Sequence, residues 1–229
     1  MKMGGLKRGI IGKVIWGIIF ALLAFFFIKT AIWEYNYYNE KEGSTRAVTE
    51  VTVNQSSEDL DETEVTEEER AAYYVAADRP RYLSIEKLNI KNARVLPMGL
   101  KPSGELDTPN NIFDVGWYTS SGKPGEGRTL LIDGHNGGPN IVGVFKYTPE
   151  LIEGDILTVE RGDGEIFRYS VVENISVPLS ESDDYMKTAM ISPVQGKESV
   201  TLITCTGEWS QTQQTYLSRQ FTRAVIIEN

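Results

Sequence analysis

The longest apolar run in the chain is VIWGIIFALLAFFFI, Val14 to Ile28, which is hydrophobic on every helical face. As a helix it would cover about 22 Å of a hydrocarbon core ~30 Å thick. Extended from Gly9 to Trp33, with Lys13 and Lys29 reaching toward the two interfaces and Trp33, Tyr35, Tyr37 and Tyr38 as an aromatic belt, it predicts a membrane anchor. A soluble core helix and a secretory signal are the alternatives. The second is disfavoured because FIKTAIWEYNYY offers no small-x-small cleavage site. Lys2, Lys7, Arg8 and Lys13 crowd the N-terminal flank, so the expected topology keeps the N-terminus in the cytoplasm and exports the rest.

Polar and apolar positions then change character twice. From Glu34 to Arg79 the chain includes SSEDLDETEVTEEER, acidic and without core periodicity, which predicts an extended stalk, with TEEERAAYYVAA adding a short helix at the junction. From Pro80 onward, short β-rich runs alternate with turn signals, as in an all-β barrel or sandwich. RYLSIEKLNI and ARVLPM read as the first strands and TLLIDGH as a later one. DILTVERGDGEIFRYSVVENISVPL reads as a hairpin turning at Asp163-Gly164, and SVTLITC and FTRAVIIEN read as closing strands. VFKYTPELIEGD reads as a helical crossover ending at Gly154. The expected organisation is therefore 1–33 basic flank and anchor, 34–79 stalk, and 80–229 one folded domain.

Charge and composition narrow the chemistry. A formal net charge of -9 argues against nucleic-acid binding, since an acidic surface repels phosphates. The chain holds one cysteine, Cys205, and one histidine, His135. An exported protein stabilised by disulfides would carry paired cysteines, so a single thiol points to reactivity. Cys205 closes the strand SVTLITC just before Thr206-Gly207, and His135 closes TLLIDGH just before Asn136-Gly137. Two strand ends at one barrel rim would make a Cys–His pair; an inert buried thiol and a structural histidine are the competing account. A tetrahedral oxyanion would also need a positioned donor, and Arg219 in YLSRQFTRAVIIEN would supply it, with Arg223 on the same face by period 2.

TLITC, the GH of LIDGH and an Arg opening the final strand, in the order His, Cys, Arg, resemble the sortases, membrane-anchored cysteine transpeptidases of Gram-positive-type bacteria. The stretch from Asp114 to Gly164, with GWY, the GP after the histidine and EGD before a strand, is similar to class F-like members. The resemblance implies a mainly β fold, an eight-stranded barrel with short helices behind an N-terminal transmembrane helix. It implies cleavage of a Thr-Gly bond in a Leu-Pro-any-Thr-Gly-like sorting motif through a cysteine thioester. The thioester would be resolved by an amine of a peptidoglycan precursor or a pilin. By position it makes Cys205 the nucleophile, His135 the general acid/base, Arg219 the oxyanion and substrate stabiliser, and Thr204 a substrate contact lining the groove with its hydroxyl or backbone. It implies no cofactor, and secreted proteins carrying the motif become the expected partners of an extracellular domain.

Asp133 departs from the family pattern, which commonly has a small residue two places before the histidine. On a regular strand it shares a face with His135, and a nearby carboxylate would raise the imidazole pKa and favour the ion pair. Unshifted, the thiolate–imidazolium form is only ~1% of the neutral pair. No metal site is legible: Glu150, Glu153, Asp155 and Asp183-Asp184 read as a solvated face. An L,D-transpeptidase is disfavoured because ITCTGEW lacks a Ser-x-Gly-Cys setting. A non-catalytic peptide- or wall-binding barrel is the remaining alternative.

Overall fold

A computed structural model of the chain describes Lys29 and residues 60–227. The expected membrane span, Lys29 apart, and the stalk as far as residue 59 lie outside the described residues. Among the described residues no helix is long and apolar enough to cross a membrane.

Eight strands close into a barrel: β1 (Pro80–Ile85), β2 (Ile90–Met98), β3 (Val115–Tyr118), β4 (Thr129–Gly134), β5 (Ile156–Arg161), β6 (Ile166–Pro178), β7 (Ser199–Ser210) and β8 (Thr215–Ile226), in the spatial order β1-β2-β3-β4-β7-β8-β6-β5. The β2–β3 and β4–β7 pairs are parallel and the rest antiparallel. Closure leaves no strand edge open. Strand alternation sends Leu130 and Ile132 of β4, Val200 and Leu202 of β7 and Ala224 of β8 into the interior with Leu83, Val95, Leu157 and Tyr169.

The intervening residues of the same strands are also buried. Leu131, Ile203 and Phe221 form a second cluster with Val177 and Ala189, outside the barrel wall. It is roofed by helix α2 (Leu179–Ala189), whose Tyr185 packs on Phe221 with ring centroids 4.7 Å apart. Thr201 Oγ1 donates to Ala189 O at 2.7 Å, so the wall satisfies a carbonyl in the last turn of α2. This double coverage explains why β4 is buried at every position. The sequence reading missed α2 because LSESDDYMKTA is polar and buries only Ser182 and Ala189.

Several expectations are corrected. Acidic residues ahead of the expected boundary at Pro80 are bound to the barrel. Asp61 N donates to Asn110 O and Ile112 N to Asp61 O, each at 3.0 Å. The Glu62 carboxylate accepts from the Asn140 backbone and side chain at 2.8 Å each. Helix α1 (Glu67–Ala72) begins with a Thr66/Glu69 capping box, and beyond it Tyr73 Oη donates to Val95 O at 2.6 Å. Acidic composition predicted solvation; here the carboxylates find specific N–H donors instead. The VFKYTPELIEGD crossover is only a 3-10 turn, Thr148–Glu150. Its anchor is Phe145, fully buried and so close to β4 that a Cβ on Gly134 would lie 2.6 Å from the ring.

Candidate active site

Three strands bring the sequence-predicted residues together on the outer face of the wall. The β4–β7 register pairs Asp133 with Ile203, and Thr204 Oγ1 donates to Gly134 O at 2.7 Å, so the strands are still side by side one step further. Continued past the end of β4 at Gly134, the same register would bring His135 level with Cys205. Across the other edge of β7, Cys205 is paired directly with Arg219 of β8. The thiol does not sit where the strand ends, as the sequence suggested: β7 continues to Ser210, with a register shift after Thr206 and Gly207 at φ +83°. Gly207 accepts the left-handed backbone that lets the chain continue past the cysteine.

Arg219 lies on this face with its guanidinium donating to Tyr216 O at 3.0 Å, Ser218 O at 3.1 Å and Thr215 Oγ1 at 3.3 Å. These acceptors are neutral, so the charge is fixed without being cancelled. Arg223, the sequence's competing candidate, is taken up elsewhere: its guanidinium pairs with Glu173 and donates to Ile191 O at 2.8 Å beneath the C-terminal end of α2. Thr204 is buried and its hydroxyl is spent on Gly134 O, so the side chain joins two strands and only its backbone is left for the expected groove contact.

His135 is half-buried, and its Nε2 hydrogen-bonds Pro109 O at 2.7 Å. Pro109 belongs to a long excursion between β2 and β3, residues 99–114, which folds back over the wall through the Leu100–Leu106 bridge and the Asp107 N to Gly99 O bond at 3.1 Å. The neutral imidazole bonded in this way carries its proton on Nε2, leaving Nδ1 as the free acceptor. Burial pushes the His135 pKa down, against the smaller upward pull of the Pro109 carbonyl. Burial pushes the Cys205 thiol up; Arg219 opposes this and Asp133 adds to it. The resting pair is therefore neutral thiol and neutral imidazole.

Asp133 overturns the expectation placed on it. It is buried, 8% exposed, with burial raising its carboxyl pKa to about 7, while the Thr108 side chain of the excursion pulls the other way. It does not lift the histidine pKa, and toward the thiol it acts against the ion pair. Its Oδ1 hangs over β3, where Gly116 is its cross-strand partner and a Cβ would meet that oxygen at 2.3 Å. Pro109, Thr108 and Gly116 were invisible as site residues in the sequence: one contributes a carbonyl, one a hydroxyl and one an absence of side chain.

Beside His135, a cleft of about 490 Å³ is lined by the 136–142 loop, Lys146 and Tyr216. Tyr216 stacks edge-on against the exposed Trp209 across the β7–β8 hairpin, with centroids 5.2 Å apart. Among the described residues no group of three or more His, Cys, Asp or Glu is arranged to hold a metal ion.

The barrel agrees with the sequence comparison, in which the sortase domain model matches residues 83–226, well over half of the chain. The chain belongs to the sortase family. Sortases are cysteine transpeptidases, and this chain is an enzyme of that class. Among solved structures it is similar to sortase C of Streptococcus pneumoniae, with 19% identity over 74% of this chain and 76% of that one and a TM-score of 0.51, a likeness of fold. Sortase C1 of Streptococcus agalactiae is 25% identical over 72% of this chain and 78% of that one, TM-score 0.49. The sortase D5 transpeptidase of Clostridium perfringens is 21% identical over 72% and 90%, TM-score 0.46. No curated protein matches the chain.

Proposed function

We propose that this sortase cleaves a Thr-Gly bond in a Leu-Pro-any-Thr-Gly-like sorting motif and transfers the acyl group to an amine of a peptidoglycan precursor or a pilin. Cys205 is the nucleophile, His135 the proton donor and acceptor, and Arg219 the oxyanion stabiliser. One observation carries the reading: Cys205 stands directly across from Arg219, whose acceptors are all neutral, on the strand edge opposite His135.

The steps follow from those positions. The Cys205 thiol gives its proton to the imidazole, and Sγ attacks the threonine carbonyl carbon. The new oxyanion lies in the field of Arg219, a donor whose charge no neighbouring carboxylate cancels. The C–N bond breaks, the imidazolium hands its proton to the departing glycine amine, and a thioester remains. An acceptor amine then attacks that carbonyl, gives up a proton to His135 and expels the thiolate. The imidazole can take and return the proton at Nδ1, its free acceptor, while Nε2–H stays on Pro109 O.

The class F-like assignment rests on the Asp114–Gly164 text alone. An anchor at Gly9–Trp33 with the enzyme domain outside the cell membrane belongs to the same reading, supported by the basic flank and apolar run. Incubating the chain with a sorting-motif peptide library should add an acyl mass to Cys205 that hydroxylamine releases, and Cys205→Ala should abolish it. A folded, thiol-reactive protein that forms no adduct with any peptide would reject the proposal.

A further inference from the structure

Asp133 is the one buried acidic group on the site's face that the transpeptidation steps leave unused. Its surroundings are specific. Gly116 of β3 leaves room for its carboxyl, the Thr108 side chain of the excursion favours its ionised form, and Ile203 of β7 flanks it in register. Cys205 is two residues further along β7, on the same outward face, a diagonal neighbour at roughly 7 Å by ordinary sheet geometry. The charged groups facing Asp133 are Asp107 and Lys101, both from the excursion. His135 follows on its own strand, and Arg219 lies beyond the thiol on β8.

We propose that Asp133 is a positioning residue for the nucleophile: as the neutral acid it leaves Cys205 in the field of Arg219, and as the carboxylate it opposes Arg219 and holds the thiol protonated. This rests on Cys205 being the nucleophile and deepens that reading. Burial favours the neutral acid at mildly acidic to neutral pH, with ionisation near 7. The same environment makes Asp133 one of the groups that raise the thiol pKa. A unit charge at such a distance, in a medium of effective dielectric ~20, changes the ionisation of a thiol about tenfold or more. The device is self-limiting: raising the pH, which by itself increases thiolate, also ionises Asp133 and takes part of that gain away. The excursion bears on both groups, through Thr108 at Asp133 and Pro109 O at His135.

The test uses the single cysteine. The rate of iodoacetamide alkylation of the full-length chain, followed by mass, reports the Cys205 thiolate alone. Below about pH 6 the wild type and Asp133→Asn should react at the same rate, since both are neutral at 133. Around pH 8 the variant should react about tenfold faster, and kcat/KM for a sorting-motif peptide should split in the same way. Thr108→Val, which removes the hydroxyl that favours the carboxylate, should shift the wild-type behaviour to higher pH and react faster than wild type near pH 7.5. This second variant carries the test if Asp133→Asn does not fold. Superimposable profiles, or a ratio to wild type that is the same at every pH from 5.5 to 8.5, would overturn the proposal. A divergence that appears as described in a protein forming no thioester with any peptide would reject the transpeptidase reading and leave the coupling standing.

Discussion

Arg219 and Arg223 are four residues apart on the same face of β8, yet one end of that face is electrically closed and the other open. At the closed end, Arg223 is 6% exposed, pairs with Glu173 and donates to two carbonyls at the end of α2, Thr188 O at 3.2 Å and Ile191 O at 2.8 Å. Its charge is neutralised, and the group acts as a rivet between helix and barrel. At the open end, Arg219 is held by two carbonyls and a hydroxyl, and no carboxylate among the described residues pairs with it. Its nearest functional neighbour is Cys205, directly across the β7–β8 ladder. The same residue type on the same face is thus structural where a carboxylate meets it and electrostatically available where only dipoles do.

The comparison breaks most sharply at the open end. Arg219→Ala should lower kcat/KM by about 10²- to 10³-fold, roughly 3 to 4 kcal/mol of lost oxyanion stabilisation, while the melting temperature changes little. Full activity in that variant would erase the distinction. The closed end should show the reverse. Arg223→Ala leaves Glu173 without its partner and strips donors from two helix-end carbonyls, so unfolding in denaturant should show a loss of about 3 kcal/mol, with near-normal kcat/KM in the folded fraction. The smallest effect sharpens the contrast further. Glu173→Gln keeps a hydrogen-bond acceptor and leaves Arg223 charged but unpaired; because Glu173 is 34% exposed at its side chain, water replaces part of the lost interaction and the cost should be about 1 kcal/mol. A larger effect on turnover than on stability in that variant would mean that α2 and the site communicate.

Much of this was visible in one dimension. Alternation and turn residues gave β1, β2, β4, the β5–β6 hairpin with Gly164 at φ +88°, and the cores of β7 and β8. The uniqueness of Cys205 and His135, with Arg219 following, singled these residues out as candidates. What escaped were features with weak local signals. The four-residue β3 is too short to show a period, α2 has a polar sequence, and residues 60–79 look solvated until their barrel partners are known. Thr204 was read as a groove residue, and Asp133 as a support for the imidazolium; their partners, Gly134 O and a buried space over Gly116, lie on neighbouring strands.

The sequence by itself determined the class of fold and the candidates for its chemistry, because side-chain period and residue chemistry are properties of the chain taken locally. Only the tertiary structure decided their states. Whether a carboxyl is neutral, a thiol protonated or a guanidinium uncancelled depends on burial and on charges a few ångströms away through space. Those neighbours arrive from strands and loops tens of residues distant: Pro109 meets His135, Gly116 makes room for Asp133, and Glu173 pairs with Arg223 while Arg219 keeps its charge for Cys205.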